Sequence, residues 1–424
     1  MMNGGRYDAI VIGGGPAGST AAAILAGKGR RVVVLEKEKF PRYHIGESLL
    51  PYGYFKLERI GVLGRMKSSH FTRKYSVQFV GSSGRASVPF YFSQQLEHEA
   101  AVTWQVLRSE FDQLLLDNAR EKGAEVIEEI AARELIRSGG AFAGVMAVSK
   151  DGETRAFHAP ITIDASGRDA FAITRNGWKV RDPYLNKIAI WTYYKGALRD
   201  AVIDEGATTV AYVPEKGWFW YIPLANDIVS VGVVAEKDYL YKNSRDLAEI
   251  FQGEVKKNAW IRQHLAVGRQ FGPYRVTGEY SYRGRHCAAD GLVLAGDAFG
   301  FLDPVFSSGV FLALRSGEMV ADAVDAALHS GDVSASRFSN YGARVCQGIE
   351  AMRKLVYAFY NHAFSFREFL KEFPYLKGDM TDCLIGNLFR DFRPLFEAVA
   401  KFADVPQPLP QGKPRMSEAV EPCR

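Results

Sequence analysis

The 424-residue sequence has little of what a metal centre or a disulfide-stabilised fold requires. Its four cysteines form no C-x-x-C pair, and its eight histidines form no H-x-x-x-H pair. Because such close spacings are typical of metal and redox sites, we expect no bound metal and no disulfide framework. The cysteines, which we expect to be reduced thiols, are Cys287, Cys346, Cys383 and Cys423.

The sequence also lacks long apolar runs and strongly charged blocks. No apolar stretch reaches the roughly 18–20 residues of a membrane span, and no secretory signal pattern opens the chain. The net charge is +5 without a dense lysine–arginine cluster, which argues against a nucleic-acid partner. We therefore expect a cytoplasmic protein with no membrane span, whose mild positive charge suits an anionic cofactor.

The first part of the chain follows a strand–helix–strand plan. The apolar run 7–12 predicts a buried strand, the alanine-rich run 16–28 predicts a helix, and 31–35 predicts a second buried strand. A βαβ unit of this kind is typical of a dinucleotide-binding fold.

Three glycines join the first strand to the helix with the spacing G-x-G-x-x-G, namely Gly13, Gly15 and Gly18. The first allows a tight turn, the second lets the backbone approach a pyrophosphate, and the third lets helix and strand pack closely. Glu36 follows the second strand, where a ligand for a ribose hydroxyl is needed. We predict a dinucleotide site, which this motif alone does not assign to NAD or FAD.

Three later stretches resemble the FAD-binding monooxygenase superfamily: VLRSEFDQLLLDNAREKGAEV (106–126), ITIDASG (161–167) and GLVLAGDAFG (291–300). The resemblance implies an α/β fold with a discontinuous, Rossmann-like FAD-binding domain of the hydroxybenzoate-hydroxylase type, an antiparallel substrate sheet and a C-terminal helical region. It also implies that Arg108 contacts the flavin and that Asp297 lies against its ribityl chain. The alternatives are a surface cap for Arg108 and a plain turn residue for Asp297.

Three further motifs resemble the flavin-dependent halogenases, especially the branch that acts on phenols and pyrroles: FPRYHIGESLLP (40–51), GWFWYIP (217–223) and GDAFGFLDPVFSSGVFLAL (296–314). The resemblance implies an enzyme that uses reduced FAD, dioxygen and chloride or bromide to make hypohalous acid. It also implies a separate flavin reductase that supplies the reduced FAD. Further flavin contacts implied by the resemblance are Gly14, Ala17, Glu47 and Val310.

The GWFWYIP stretch predicts a strand with a large aromatic face. Because side chains alternate along a strand, Trp218, Trp220 and Ile222 share one face, where two neighbouring indoles form a rigid wall. The resemblance implies that this wall lies beside the flavin and keeps the organic substrate away from it. A tryptophan-rich core strand is the alternative.

Small residues begin a predicted helix at the F-S-S-G motif. The first amides of a helix have no intrahelical partner and its dipole favours negative charge, so Ser308 and Gly309 leave donors open to an anion. The resemblance implies that these two backbone amides bind the halide. An ordinary helix N-cap is the alternative.

Lys74 precedes a predicted strand and is the candidate catalytic residue. The resemblance implies an essential lysine that hypohalous acid reaches through a tunnel. The lysine then hydrogen-bonds the acid or becomes a chloramine, and presents the halogen as an electrophile. An ammonium on a flexible stem suits both roles, and burial can lower its pKa enough to give a free amine. The alternatives are a surface lysine and a misalignment with Arg73.

Phe306 departs from the tryptophan-acting branch, which carries a glutamate at this place in the loop. Without a carboxylate to take the proton from an attacked ring, we expect a more electron-rich substrate than tryptophan. The expected substrate is a phenol or a pyrrole, either free or tethered to an acyl or peptidyl carrier protein.

The motifs divide the chain into a discontinuous cofactor domain, a substrate-side sheet, a helical region and a tail. The predicted FAD-binding domain comprises residues 1–73, 103–182 and 274–330. The predicted substrate-side sheet comprises residues 74–102 and 183–273. The helical region is predicted at 331–404, and a flexible tail with five prolines at 405–424.

Other functions remain open at this point. A flavin monooxygenase or a reductase of the geranylgeranyl-reductase type shares the fold, the glycine motif and a tryptophan strand. The halide loop and Lys74 favour a halogenase, because neither alternative needs them. A flavoprotein that keeps FAD without turnover is the remaining possibility.

Overall fold

The computed structural model describes residues 7–213, 217–278, 281–361, 364–409 and 412–416. The strands in chain order are β1 Ala9–Ile12, β2 Val32–Leu35, β3 Thr72–Lys74, β4 Ser76–Val80, β5 Phe90–Tyr91, β6 Thr103–Gln105, β7 Glu125–Ile127, β8 Ile130–Ser138, β9 Ala141–Ser149, β10 Thr154–His158, β11 Ile161–Asp164, β12 Lys179–Arg181, β13 Lys187–Lys195, β14 Thr208–Val213, β15 Gly217–Leu224, β16 Ile228–Glu236, β17 Arg269–Thr277, β18 Tyr282–Gly284, β19 Ala288–Ala289, β20 Leu292–Leu294 and β21 Gly300–Phe301.

The helices in chain order are α1 Pro16–Gly27, α2 Gly53–Arg59, α3 Leu63–Lys67, α4 Arg108–Glu121, α5 Phe171–Arg175, α6 Lys237–Leu240, α7 Leu247–Val255, α8 Ala259–Leu265, α9 Gly309–Ser330, α10 Ser339–Tyr360, α11 Phe366–Glu372, α12 Lys377–Ile385 and α13 Arg393–Val399. The predicted first helix is confirmed and ends at Gly27, and the predicted first strand begins at Ala9.

The first large sheet has the strand order β19-β20-β11-β1-β2-β7 and is parallel except for the β19–β20 pair. Strands β1, β2 and β11 are buried along their whole length, as expected when helices cover both faces of a parallel sheet. Helix α9 packs closely on α1, because a Cβ at Gly317 would lie 2.4 Å from the Ala17 carbonyl oxygen. This close packing brings the two helix N-termini to one side of the sheet.

The second large sheet has the order β17-β13-β16-β15-β14-β4-β5 and is antiparallel except for the parallel pair of β14 and β4. Within β15, Trp218, Trp220 and Ile222 pack into a cluster with residues of the C-terminal helices. Phe219 and Tyr221 pack into the opposite cluster, with α7 and α8. The predicted alternation of β15 is therefore confirmed, and the strand is buried on both faces.

Two predicted boundaries cut through strands. The 73/74 boundary falls inside β3, which pairs antiparallel with β6 through Thr72 opposite Gln105 and Lys74 opposite Thr103. The 273/274 boundary falls inside β17, which continues to Thr277. In both places, hydrogen bonding to a partner strand carries the strand across the predicted domain boundary.

The C-terminal helices cover the tryptophan face of the second sheet. The aromatic-rich sequence 350–370 contributes to two helices, because α10 ends at Tyr360 and α11 begins at Phe366. Its described aromatic side chains pack into the core, where the Phe359 ring stacks on Tyr212 with centroids 5.1 Å apart. These rings seal one side of the sheet that carries the site.

The described part of the proline-rich tail lies against the protein. Lys413 forms an isolated parallel bridge with His286, and the Arg353 guanidinium donates to the Gln407 carbonyl oxygen at 3.0 Å. The tail prediction for residues 410–411 and 417–424, with Cys423, lies outside the described residues. Over its described residues, the tail is held by backbone pairing and a buried arginine.

Within the described ranges, no helix is both long and apolar enough to cross a membrane. The same ranges contain no cluster of three histidine, cysteine, aspartate or glutamate side chains suited to a metal ion. The three cysteines they include, Cys287, Cys346 and Cys383, are free thiols.

Candidate active site

The loop between β1 and α1 has the close approaches that its glycine spacing predicts. Gly13 has a φ of +98°, and a Cβ there would lie 2.5 Å from the Ala165 carbonyl oxygen. A Cβ on Gly18 would lie 1.9 Å from the Gly13 carbonyl oxygen, so neither position accepts a side chain. At Gly15, the nearest atom to such a Cβ is Nη2 of Arg42, 3.5 Å away. The chain is therefore crowded at two glycines and open at the one expected to meet a pyrophosphate.

The N-terminus of α1 suits an anionic group. Gly15 is the N-cap, Pro16 begins the helix, and no side chain caps the first amides. Arg42, which the sequence did not identify as a site residue, adds a positive charge there and pairs with Asp112 at 3.0 Å and Glu38 at 3.3 Å. The Gly15 amide, a helix N-terminus and a guanidinium together suit a pyrophosphate. The residues present therefore fit FAD.

Glu36 follows β2, and its carboxylate is hydrogen-bonded to the backbone of the glycine loop. Its Oε2 accepts a hydrogen bond from the Gly14 amide at 2.7 Å, and its Oε1 accepts one from the Glu38 amide at 2.8 Å. These bonds hold the carboxylate beside the loop, where the sequence predicts a ribose ligand. Gly14 thus supports the loop through Glu36.

A cleft that encloses about 1620 Å³, its open mouth included, runs from this loop to the start of α9. Most of the predicted site residues line it: Gly13, Gly15, Ala17, Glu36, Glu47, Arg108, Trp218, Trp220, Asp297, Gly309 and Val310. The predicted residues that do not line the cleft are Gly14, Gly18, Lys74 and Ser308.

Arg108 begins α4, and hydrogen bonds to one carboxylate and two backbone carbonyl oxygens hold its guanidinium. Its guanidinium makes two hydrogen bonds to the Asp112 carboxylate, at 2.7 and 2.9 Å, and Nη1 donates to the carbonyl oxygens of Ile45 and Gly46. Although burial opposes the charge, the Asp112 carboxylate raises the pKa of Arg108. The arginine thereby fixes the backbone of the G-E-S motif against the cleft.

Asp297 lies after β20, at the carboxyl end of the parallel sheet. Burial raises the pKa of its carboxyl to about 6, against the opposing effect of the positive charges on Arg168 and Arg108. Ligands of open α/β sheets bind outside the carboxyl ends of the strands, and Asp297 stands at this edge.

Glu47 is a buried carboxyl in the cleft wall. Burial raises its pKa to about 7, although hydrogen bonding from Tyr193 and Ser230 and the positive charge of Arg108 oppose this rise. The Tyr193 hydroxyl donates to Oε1 at 2.7 Å, whereas Oε2 has no hydrogen-bond partner among the described residues. Glu47 is therefore a carboxyl that can hold or release a proton near neutral pH.

The two indoles of β15 form a fixed wall. Their ring centroids lie 6.1 Å apart with an interplanar angle of 53°. Trp218 Nε1 donates to the Tyr360 hydroxyl at 2.8 Å, which in turn donates to Asp303 at 2.8 Å, and Trp220 Nε1 donates to Ser230 at 3.0 Å. Because both indole N–H groups are satisfied, the rings are held in place against the cleft.

The loop before α9 exposes backbone donors. Ser307 has a left-handed backbone with a φ of +55°, Ser308 is the N-cap, and its side chain makes no cap hydrogen bond. Within the described chain, the amides of Ser308, Gly309 and Val310 have no backbone acceptor. No atom lies within 4 Å of a Cβ placed on Gly309, so the space beside this amide is open. The arrangement suits a small anion.

Phe306 stands in this loop at the place where the sequence showed no carboxylate. Its ring packs edge-on against Phe359 and Phe366, with centroids 5.8 and 6.2 Å away. The nearest acid along the loop, Asp303, is buried and accepts from Tyr360 and from the Val305 amide. Asp303 therefore supports the loop and the tryptophan wall.

Lys74 is buried at the end of β3, with 1 % of its surface exposed. Its Nζ donates to Ser48 Oγ at 2.8 Å and to the Leu49 carbonyl oxygen at 3.3 Å, and lies 5.3 Å from the centre of the Phe92 ring. No carboxylate of the described residues pairs with it, and burial lowers its pKa to about 7. A substantial fraction of Lys74 is thus a neutral amine at physiological pH.

Ser48 and Thr208 separate Lys74 from the cleft. Their hydroxyl oxygens lie 2.9 Å apart, both residues line the cleft, and Gln105 donates to the Thr208 hydroxyl at 2.8 Å. Lys74 therefore lies one hydrogen bond behind a wall of two hydroxyl groups.

Arg73 projects from the opposite side of β3. Its guanidinium lies 5.2 Å from the Trp104 ring and donates to the Lys67 carbonyl oxygen. The structure thus places Lys74, and not its neighbour, on the side of the cleft.

The sequence analysis missed several residues that contribute to this site. Arg42, Tyr43 and Ser48 lie within the FPRYHIGESLLP motif, so the motif carried the signal without assigning it to them. Tyr193 and Thr208 lie in strands with no distinctive pattern, and only the packing of the sheets brings them to the cleft.

This fold and this cleft define an α/β flavoprotein. The chain matches the family model described as tryptophan halogenase over residues 8–98 and 80–367. It belongs to that family and is a flavin-dependent halogenase, an enzyme that uses FAD and a halide.

Similar proteins include two with curated activities. The 1H-pyrrole-2-carbonyl-(peptidyl-carrier protein) chlorinase of Pseudomonas fluorescens is 30% identical over 411 residues, which cover 92% of this chain and 91% of the relative. The corresponding brominase of Pseudoalteromonas luteoviolacea is 32% identical over 329 residues, 77% of this chain and 79% of the relative. Among solved structures, the flavin-dependent brominase Bmp2 has a TM-score of 0.84 and 29% identity, and the match covers 94% of this chain and 97% of that one.

Proposed function

We propose that this halogenase modifies an electron-rich aromatic ring, a phenol or a pyrrole, with Lys74 as the residue that transfers the halogen. The observation that carries the proposal is a buried lysine that pairs with no carboxylate of the described residues and lies one hydrogen bond behind a cleft that also contains an open anion loop. Reduced FAD, when bound, supplies with dioxygen the two-electron oxidation of the halide.

The chain's own residues perform the remaining tasks. The amides of Ser308 and Gly309 hold the chloride or bromide, because they are open donors at the positive end of α9. The indoles of Trp218 and Trp220 fill the cleft wall and keep the aromatic substrate from the flavin. Hypohalous acid reaches Lys74 past Ser48 and Thr208, whose hydroxyl groups are hydrogen-bonded to each other at 2.9 Å and must separate to let it through.

Lys74 then receives the hypohalous acid. Its neutral amine attacks the halogen, a nitrogen–halogen bond forms, and the oxygen leaves as water with the proton of the amine. The aromatic carbon next takes the halogen from nitrogen and loses its own proton, and the amine regains a proton. Because Nζ is held by Ser48 and Leu49, the halogen is presented at one position.

The substrate is proposed to arrive on a carrier protein. Two relatives act on pyrrole-2-carbonyl groups attached to peptidyl carrier proteins, and a pyrrole is electron-rich enough to react without the carboxylate that Phe306 replaces. We further propose that a separate flavin reductase supplies the reduced FAD, because the sequence contains one dinucleotide fingerprint.

Product analysis tests this function. The protein is incubated with FAD, a flavin reductase, bromide or chloride, and pyrrole-2-carbonyl carrier protein, free pyrrole or free phenol in parallel. We expect halogenated product by mass spectrometry with at least one aromatic substrate and none without halide. Oxygenated product at an equal rate in halide-free buffer would contradict the proposal.

A further inference from the structure

Halogenation requires a proton as well as a halide. Reduced flavin, dioxygen, one halide ion, one proton and one aromatic C–H give oxidised flavin, one carbon–halogen bond and two molecules of water. The halide enters as an anion, so a proton must reach the oxygen atom that leaves as water. With FAD bound in the cleft, this proton needs a route that does not depend on open water.

A line of hydroxyl groups leads from the surface to the cleft carboxyl. Tyr43 both lines the cleft and is 41% exposed, and its hydroxyl oxygen lies 3.1 Å from that of Tyr193. The Tyr193 hydroxyl lies 2.7 Å from Glu47 Oε1, and Glu47 lines the cleft. Each separation is within hydrogen-bonding distance, so a proton can pass along the line by rotation and exchange of O–H bonds.

Trp191, which donates to Tyr43, influences the direction of hydrogen bonding along these hydroxyl groups. Trp191 Nε1 donates to the Tyr43 oxygen at 2.7 Å, which leaves the Tyr43 proton available to donate onward. The Tyr193 hydroxyl is within donating distance of both Tyr43 and Glu47, and its one proton serves one of them at a time. When Tyr193 donates to the closer acceptor, Glu47, the Tyr43 hydroxyl is the donor to Tyr193. The second carboxyl oxygen, Oε2, makes no hydrogen bond of acceptable geometry among the described residues, although the Ser230 hydroxyl lies near enough to favour the carboxylate form. Oε2 is therefore the oxygen that takes the transferred proton.

We propose that Tyr43, Tyr193 and Glu47 form a proton path from solvent to the flavin cleft. Glu47 gives a proton to the oxygen atom that leaves as water, and the vacated carboxylate regains one from Tyr193. Tyr193 takes the proton of Tyr43, and Tyr43 takes one from water. Only O–H bonds form and break along this path, and no oxidant or reductant is consumed.

The charges around the path support transfer near neutral pH. Burial holds the pKa of Glu47 at about 7, and Arg108 is the charged side chain whose field opposes this. At the outer end, the Arg275 guanidinium lies 3.8 Å from the centre of the Tyr43 ring and favours its phenolate form, whereas Glu47 disfavours it. Burial raises the pKa of Tyr193, so this residue passes a proton without remaining ionised.

The purpose of the path rests on the proposed function, but the path itself can be measured without turnover. Resting, FAD-loaded protein at about pH 6, where a carboxyl with a pKa of about 7 is mostly protonated, is mixed rapidly with D₂O. The carbonyl stretch of the protonated Glu47 is identified by its loss in Glu47→Gln. The rate at which deuteration shifts this band is compared between wild type, Tyr193→Phe and Tyr43→Phe.

The matched control is Tyr194→Phe. Tyr194 is the next residue of β13, packs on the opposite face of the sheet and accepts a hydrogen bond from Gln252. We expect deuteration to slow at least about tenfold in Tyr193→Phe and in Tyr43→Phe, and to match the wild type in Tyr194→Phe. Exchange in Tyr193→Phe as fast as in wild type would overturn the path, as would a spectrum without a protonated Glu47.

A second comparison separates this inference from the proposed function. Lys74→Ala removes the proposed transfer residue and leaves the path intact, so it should abolish halogenated product without altering deuteration. If Lys74→Ala still halogenates normally while Tyr193→Phe slows deuteration, the role of Lys74 is refuted and the proton path stands. If deuteration is unchanged in Tyr193→Phe while Lys74→Ala is inactive, the reverse holds.

Discussion

The amine of Lys74 donates a hydrogen bond to the hydroxyl of Ser48, 2.8 Å away, through the wall that separates it from the flavin cleft. Ser48 joins the two, because it lines the cleft and also accepts a hydrogen bond from Lys74. In the proposed mechanism, the oxidised halogen is made on the cleft side of this hydroxyl and used on the Lys74 side. The predictions below follow from that division.

Replacement of Lys74 should separate halide oxidation from halogen transfer. Lys74→Ala should retain FAD binding and release free hypohalous acid, which a chemical trap detects, while specific halogenation falls at least about a hundredfold. Lys74→Arg should not restore it, because a guanidinium stays protonated and does not readily become a chloramine. Equal yield and regiochemistry in wild type and Lys74→Ala would refute the role.

The lowered pKa of Lys74 predicts that activity and stability both rise with pH, in adjacent pH ranges. Halogen transfer by the neutral amine should increase as pH rises through about 7. Between about 7 and 10.5, the unfolded chain binds a proton that folded Lys74 does not, so the free energy of unfolding should rise with pH. Lys74→Met should remove this rise, which denaturant titrations at several pH values measure. An unchanged slope would show that Lys74 is charged in the folded protein.

The halide loop offers a matched pair of variants at Gly309. Gly309→Pro deletes one amide donor at the first position of α9, and we expect the halide concentration for half-maximal rate to rise about tenfold or more. Gly309→Ala keeps the amide and adds a methyl group to the open space of the cleft, so its halide dependence should change less than that of Gly309→Pro. Since Ser308 has a helical backbone, which proline disfavours before it, the melting temperature is measured first. If both variants showed the wild-type halide dependence, the assignment of the halide to this loop would be wrong.

Substitution at the open glycine should abolish cofactor binding. Gly15→Trp would fill the space between the loop and Arg42 that the pyrophosphate needs, so the purified protein should lose its flavin absorbance. Gly27→Ala is the control, because no atom lies within 4 Å of a Cβ at that position. Normal flavin content in Gly15→Trp would show that FAD binds elsewhere.

Ser48 should position the Lys74 amine. Ser48→Ala removes the 2.8 Å hydrogen bond, and we expect halogenated product to fall about tenfold or more while the yield of free hypohalous acid rises. Ser48→Thr retains a hydroxyl and should recover part of the coupling. A structural role alone would lower both products together, so the ratio of the two is the measurement that decides.

The sequence by itself determined the local elements of this protein. The G-x-G-x-x-G loop, the buried strands beside it and the start of α9 at Gly309 follow from neighbouring residues, because tight turns, period-two alternation and helix N-termini are short-range features. It also indicated Lys74 and the tryptophan pair through the resemblance to the halogenases. The strand of the tryptophan pair was predicted, whereas Lys74 was expected before a strand and lies at the end of one, β3.

Only the tertiary structure decided which of these elements meet. Ser48 and Thr208 are 160 residues apart, and Glu47 and Tyr193 are 146 apart, yet each pair is in hydrogen-bonding contact. Such pairs depend on how the second sheet packs against the G-E-S segment, and no local pattern in β13 or β14 encodes that packing. The burial that lowers the pKa of Lys74 and raises that of Glu47 is likewise a property of the packed sheets, because desolvation depends on every layer that surrounds a group.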